Sequence, residues 1–424
     1  MKKRIMFNTL IGKKKNFTES ANPSDMKNHD GKKFARKRKL TFERLMKLII
    51  RCSPYSLQIR LDDFYKGIGH KEEVVSKQAL SKARTNLDPD IIKASFEITA
   101  NTMSSCEDLE LYKEKFRLCA IDGSDLALDN APELIRHFGG SGSNHDCAMA
   151  MASLCYDPLN NIILDGGLYP YGTSERYAAR KHFEAVSGIP LPEGAENLYI
   201  ADRGYPSREL LAEMIDKNMN FFMRVRSKFS ADIDMVAKKK KISFVYKGKK
   251  YWVRVFNVTL SSGEKEILVT NLTEQYISYK EASELYFTRW GIEAKFESLK
   301  NKLELENMSG RRVVTTYQDF WAKLDLANTL AALEYATDEV IEEKNAISEN
   351  KYQQRTNENR LITKFSDQYI ELLSEPNVNV RLALFDELVA DITRRPVEVK
   401  PGRQTSRKNP RKKKFCDRRK RVLR

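Results

Sequence analysis

Long apolar runs are missing from this 424-residue sequence. No stretch approaches the about 18 residues needed to cross a bilayer, so a membrane protein is not expected. Histidine and cysteine are sparse, five and six residues. The histidines are scattered, and Cys52, Cys106, Cys119, Cys147, Cys155 and Cys416 form no Cys-x-x-Cys pair. That pattern excludes a structural zinc site and fits a reduced, cytoplasmic protein. The opening residues are charged, but Lys13–Lys15 interrupt any apolar run, so no secretory leader is expected. Internal repeats are absent too.

What the sequence has is charge, unevenly placed. It carries 74 Lys+Arg against 58 Asp+Glu, a net of +16. Residues 1–40 hold 13 basic and 3 acidic side chains, and residues 394–424 hold 15 and 2. The stretch between them is mildly acidic, at −7. Two basic ends on an acidic body point to a polyanionic partner, with nucleic acid the first candidate. A hydrophobic content of 41% gives the body an ordinary globular core.

Residues 1–40, rich in Lys, Asn and Gly with little periodicity, read as a flexible basic arm. Over 41–110 the spacing of Leu45, Leu48, Ile49 and Cys52, then of Val74, Val75, Ala79, Leu80 and Ala83, predicts a small helical domain. Pro89 is placed to open one of its helices. From residue 111 short apolar runs bounded by Gly, Asp, Asn and Pro predict strands at 116–121, 148–156, 161–168, 198–201 and 221–225. Helices are expected at 175–187 and 207–217. The order is three strands, helix, strand, helix, strand. Alternating runs at 242–246, 251–259 and 266–272 predict an antiparallel segment within about 226–275. A long helix at about 278–303 follows, then helical sequence to Asp391 and a basic tail at 394–424.

Three acids stand out. Asp122 in Ile121-Asp122-Gly123-Ser124 and Asp202 in Ala201-Asp202-Arg203-Gly204 each follow a buried strand. Glu293 lies on the long helix. At about 100° per residue, Tyr286, Arg289, Glu293, Glu297 and Lys300 share about 80° of one face, beside an apolar stripe through Leu285, Ile292, Phe296, Leu299 and Leu303. Two or three acids converging from separate elements suit divalent ions that act on phosphodiesters, and neighbouring cations suit the phosphates.

The spacing Tyr286-x₂-Arg289-x₃-Glu293-x₆-Lys300 resembles the Y-R-E-K signature of bacterial insertion-sequence transposases of the DDE type. The contexts of Asp122 and Asp202 resemble that family's first and second acids, and the segment Val75–Arg84 is similar to one in its N-terminal region. The likeness spans about residues 40–330. It implies a mixed α/β fold: a ribonuclease-H-like catalytic core at 111–335 with an antiparallel β insertion, a helical DNA-binding domain before it at 41–110, and a helical region at 336–393 after it. It further implies that Asp122, Asp202 and Glu293 are catalytic and ligate two Mg²⁺ ions, with Mn²⁺ able to substitute. Tyr286, Arg289 and Lys300 would contact DNA. The partners would be double-stranded transposon ends and target DNA, with a homodimer in the synapse, in the bacterial cytoplasm and on its nucleoid.

Blander readings stand beside these. An isolated Asp at a strand end is usually a cap or turn residue, the role expected of Asp125, Asp129, Asp157 and Asp165. Glu297 reads as an exposed helix partner for Lys300, Trp290 and Trp252 as packing residues. The alternatives to a transposase are a nuclease on the same fold that cuts without joining, and an inactive transposase-derived DNA-binding regulator.

Overall fold

A computed structural model describes residues 2–26, 34, 38–51, 57–142, 146–226, 229, 241–259, 265–348 and 350–400. Along the chain run α1 (Lys2–Ser20), α2 (Phe42–Arg51), α3 (Leu57–Gly67), α4 (Lys77–Arg84) and α5 (Pro89–Ser104), then β1 (Phe116–Ala127), α6 (Pro132–Phe138), β2 (Gly140–Ser141), β3 (Cys147–Asp157) and β4 (Ile162–Pro170). There follow α7 (Glu175–Val186), β5 (Glu196–Ala201), α8 (Arg208–Asp216), β6 (Asn220–Val225), β7 (Lys241–Tyr246), β8 (Lys249–Thr259) and β9 (Lys265–Thr270). The last elements are α9 (Ala282–Phe287), α10 (Trp290–Asn301), α11 (Val313–Ile347), β10 (Gln354–Arg355), α12 (Glu358–Ser374), α13 (Val378–Thr393) and β11 (Val397–Glu398). Among the described residues no helix is long and apolar enough to cross a membrane.

The chain forms two compact units. One is helical, built from the described residues up to Met103, Ala127–Met149 and those from Leu299 onward; the other holds Ser104–Leu126 and Ala150–Ser298. In the helical unit α11, a 35-residue helix, packs against α1, α2, α12 and α13. Local signals set its boundaries. Pro89 opens α5, and the Ser76 hydroxyl accepts the Ala79 N–H to cap α4. Asn357 and Asn377 cap α12 and α13 in the same way.

Of the flexible basic arm expected over residues 1–40, residues 1, 27–33 and 35–37 lie outside the described residues, and the part before them is ordered in a helix. Lys2–Ser20 is a helix whose Phe7, Leu10, Ile11, Lys14 and Thr18 are buried. Phe7 packs on Phe365 and Phe385. The buried set has helical spacing, but Lys and Thr occupy two of its positions, so the sequence shows no apolar stripe. Lys14 is held at 2.7 Å by the buried Asp325, with the Thr329 hydroxyl accepting from it at 2.8 Å. Helices α2 to α5 lie within the span 41–110 where a helical domain is expected, and α2 packs on α11 and α12, in the C-terminal helices' core. Of the tail, residues 401–424 lie outside the described residues.

The second unit holds most of a nine-stranded sheet ordered β2-β3-β1-β5-β6-β9-β8-β7, with β4 also paired to β3. Strands β3 and β4 are antiparallel, β5 runs parallel to β1, and β6 parallel to β5. With α7 between β4 and β5 and α8 between β5 and β6, the expected three strands, helix, strand, helix, strand of a ribonuclease-H-like core is present, interrupted after β1 by α6 and the two-residue β2. The insertion strands do not form a separate layer. Strand β9 pairs antiparallel with β6, so β7–β9 widen the same sheet. Lys247 and Gly248, both left-handed at φ 48° and 78°, make the tight β7–β8 turn.

Side-chain alternation divides the sheet's faces. Phe116 and Leu118 of β1, Leu198 and Ile200 of β5, and Phe222 of β6 join one buried cluster with Leu285 and Tyr286 of α9. Tyr199, between Leu198 and Ile200, turns the other way and meets Phe183 of α7 at 4.7 Å.

Candidate active site

The period of two that buries Leu118 and Leu198 places the acids. Counting on by twos along β1 gives Asp122; along β5 it gives Asp202, one residue past the strand. Both therefore face the side that α9 covers. Parallel pairing puts Ile121 opposite Ala201, so Asp122 and Asp202 come next, on neighbouring chains. Asp122 is not at a strand end as expected: β1 runs on to Ala127, and only its buried run stops at Ile121.

The two carboxylates are held differently. Asp122 accepts the Gly123 N–H at 2.9 Å, and burial pushes its carboxyl up to about 6. Glu293 and Asp202 add to that rise; the Gly123 N–H and Arg289 oppose it. Asp202 is a third exposed and accepts from the Arg203 N–H at 2.7 Å and the Tyr286 hydroxyl at 3.1 Å, with Arg224 at 3.7 Å.

The expected long helix is two helices. Backbone N–H groups of Thr288, Arg289, Gly291 and Ile292 each bond three residues back, and this tight turn separates α9 from α10. Tyr286 and Glu293 thus lie on different helices, and the single wheel drawn through them does not hold. The turn still gathers the group. Arg289 pairs with Glu293 at 2.9 Å, and its guanidinium lies 5.4 Å from the Tyr286 ring centre and 5.2 Å from that of Trp290. Its Nε is buried without a hydrogen-bond partner among the described residues. Tyr286 and Arg289 are only 4% and 3% exposed, so in this form they offer little surface to DNA. Glu293 and Lys300 both lie on α10, about two turns apart, and Glu297 is exposed.

Sequence reasoning missed Glu175, at the start of α7. Its carboxyl is raised by burial, then by Asp202 and Asp125. A Cβ on Gly204, two residues after Asp202, would displace that carboxylate. Gly291 is constrained too: its Cβ would come within 2.9 Å of Pro158 in the β3–β4 turn. Asp157 is the turn residue expected, accepting from Leu159 and Asn160. Asp165 is not: it lies inside β4 and pairs with His182. Trp290 and Trp252, expected to pack, are 40% and 49% exposed; Trp252 lies between Lys241 and Lys250.

Among the described residues no three acidic, His or Cys side chains close into a ready metal cage. The donors nonetheless suit Mg²⁺ or Mn²⁺. They are hard carboxylate oxygens, one kept above its ordinary range by burial, and such ions keep waters and need only one or two protein carboxylates beside a phosphate. Arg289 now occupies Glu293, as a cation would.

The central parallel pair of this sheet thus carries two acids side by side, Asp122 within β1 and Asp202 just past β5. The chain belongs to the DDE transposase family: the family's transposase DDE domain matches residues 113–328, just over half of the chain. Members of the family use divalent metal ions. Among solved structures the chain is similar to a piggyBac transposase synaptic complex with hairpin DNA, at 9% identity and a TM-score of 0.42, over 95% of this chain and 84% of that one. No curated protein matches it.

Proposed function

We propose that this chain cleaves DNA at the terminal inverted repeats of an insertion sequence and joins the freed 3′-hydroxyls to target DNA. The observation that carries the reading is the placement of Asp122 and Asp202 on adjoining parallel chains, both facing the α9–α10 turn that brings Glu293 up through Arg289. Asp122, Asp202 and Glu293 are the groups that would hold divalent ions, which when bound would supply Lewis-acid stabilisation of charge developing on the phosphate oxygens. The Tyr286 hydroxyl donates a hydrogen bond to Asp202 and orients that carboxylate. When a DNA phosphate enters, Arg289 exchanges Glu293 for it, and its unpartnered Nε–H becomes a second donor. Lys300, farther along α10, extends the cationic row.

Water oxygen attacks phosphorus in line, and the bond to the 3′-oxygen breaks to leave a 3′-hydroxyl. In the joining step that hydroxyl attacks a target phosphodiester; one P–O bond forms as one breaks, so no energy source is needed. The basic ends supply sequence-independent, salt-sensitive affinity, the helical segment 41–110 takes part in end recognition, and two copies act on paired ends.

Purified protein with Mg²⁺, labelled element ends and a target plasmid should give nicked and joined products. Asp202→Ala should give neither. Nicks without joining would make the protein a nuclease, and no product from the intact chain a regulator. Full cleavage by Asp202→Ala would remove that acid from the mechanism.

A further inference from the structure

Behind Asp122, toward α7, lies a chain of buried polar groups that the proposed chemistry leaves unused. The Asp165 carboxylate on β4 lies 2.7 Å from Nδ1 of His182 on α7. Nε2 of the same ring lies 2.9 Å from the Ser153 hydroxyl on β3. That hydroxyl in turn donates to the backbone carbonyl of Asp122 at 3.3 Å. Ser153 and His182 are fully buried, and Asp165 is 7% exposed. The order carboxylate, imidazole, hydroxyl suits a nucleophile, but a hydroxyl with no access to solvent attacks nothing.

We infer that Asp165, His182 and Ser153 are positioning residues, which fix the Asp122 main chain and thereby aim its carboxylate; the inference rests on the assignment of Asp122 as a metal-holding acid. Four elements, β1, β3, β4 and α7, are tied at this one point. Strand pairing brings the set together: Cys155 lies opposite Asp165, and Ser153, two residues earlier, shares the face of Cys155. The geometry shows what each member holds: the Ser153 hydroxyl bridges the Asp122 carbonyl and Nε2 of His182, and Asp165 at Nδ1 fixes the ring that in turn fixes the hydroxyl. Asp122 needs such support because Gly123 follows it directly and adds no side chain to brace the backbone. The buried Tyr205 hydroxyl lies near the same glycine, 3.8 Å from where its Cβ would be.

The test measures Mn²⁺ binding to the DNA-free full chain by electron paramagnetic resonance, alongside end cleavage and melting temperature. Supporting groups behind a ligand typically change metal affinity or activity about 10-fold or more. Ser153→Ala and His182→Gln should each weaken Mn²⁺ binding by about that factor, with cleavage falling in parallel and the protein still folded. Ser153→Cys, which keeps a weak donor, should fall between Ser153→Ala and wild type, and it carries the comparison should Ser153→Ala not fold. Phe7→Ala, a core truncation in α1 of the helical unit, should lower the melting temperature without moving Mn²⁺ affinity. Wild-type Mn²⁺ affinity in both Ser153→Ala and His182→Gln would overturn the inference. Retained cleavage by Asp122→Asn would instead overturn the assignment of the acid itself.

Discussion

Replacing Asp122 by Asn should make the metal-free protein more stable, by an amount that depends on pH. Burial holds the Asp122 carboxyl at about 6, against an ordinary 3.8. Its folded form therefore binds the proton more tightly than the unfolded chain does. Ionising the group costs nothing below about pH 3.8, and the cost grows until the pH passes about 6. At about 1.4 kcal/mol per pH unit the full penalty is about 3 kcal/mol. The same linkage leaves about 1 kcal/mol at pH 4.5. Asn has the same shape, still accepts the Gly123 N–H, and carries no charge to desolvate. Urea unfolding of both proteins in EDTA should show Asp122→Asn ahead by about 3 kcal/mol at pH 8 and about 1 kcal/mol at pH 4.5, if unfolding of the sheet unit is two-state. Added Mn²⁺ should narrow the gap at pH 8 by stabilising the wild type alone. An equal gap at both pH values, or a wild type more stable at pH 8, would refute the claim that Asp122 is held ionised at a cost.

Three further outcomes are expected. Lys14→Met leaves Asp325 buried without its cation and should cost about 3–5 kcal/mol in the melting of the helical unit; a loss below 1 kcal/mol would mean α1 is not anchored as described. Gly291→Ala should lose about 1–2 kcal/mol through overlap with Pro158 and lower end cleavage, because Glu293 lies two residues on. A gain in stability, as helix propensity alone would give, would contradict that. Removing residues 401–424, which carry 12 basic side chains and one acidic, should weaken binding to all DNA about equally and flatten its salt dependence; a loss confined to element ends would point to sequence reading instead.

The sheet was legible because its strands announce themselves locally. Runs such as Leu198-Tyr199-Ile200-Ala201 are short, apolar and closed by polar residues, and the observed strand covers them with two residues added. Asp122 and Asp202 were visible for the same reason, each marking where such a run ends. The helix break was not. Thr288-Arg289-Trp290 contains no Pro or Gly, and Gly291, the one local signal in the turn, reads by itself as a glycine tolerated inside a helix. Lys14 hid α1 because a buried cation looks like a surface residue until its partner, 311 positions away, is known. Asp165 and His182 were hidden likewise: each is unremarkable alone, and only β3–β4 pairing and α7 packing make them a pair.

The helical unit is closed by contacts between opposite ends of the described chain. Arg4 meets Asp386 across 382 positions, and Phe7 packs on Phe385. On a ribosome, then, this core is the last thing that can finish. Residues 104–298 emerge before α12 and α13 and hold every strand from β1 to β9, so the sheet with its acids can assemble while α1 still lacks those helices. During that interval Phe7, Leu10 and Ile11 have no apolar cover from those helices, and such waiting surfaces are where nascent chains associate wrongly. Translation speed over 299–393 should therefore govern how much soluble protein is made, more than any codon in the catalytic sheet.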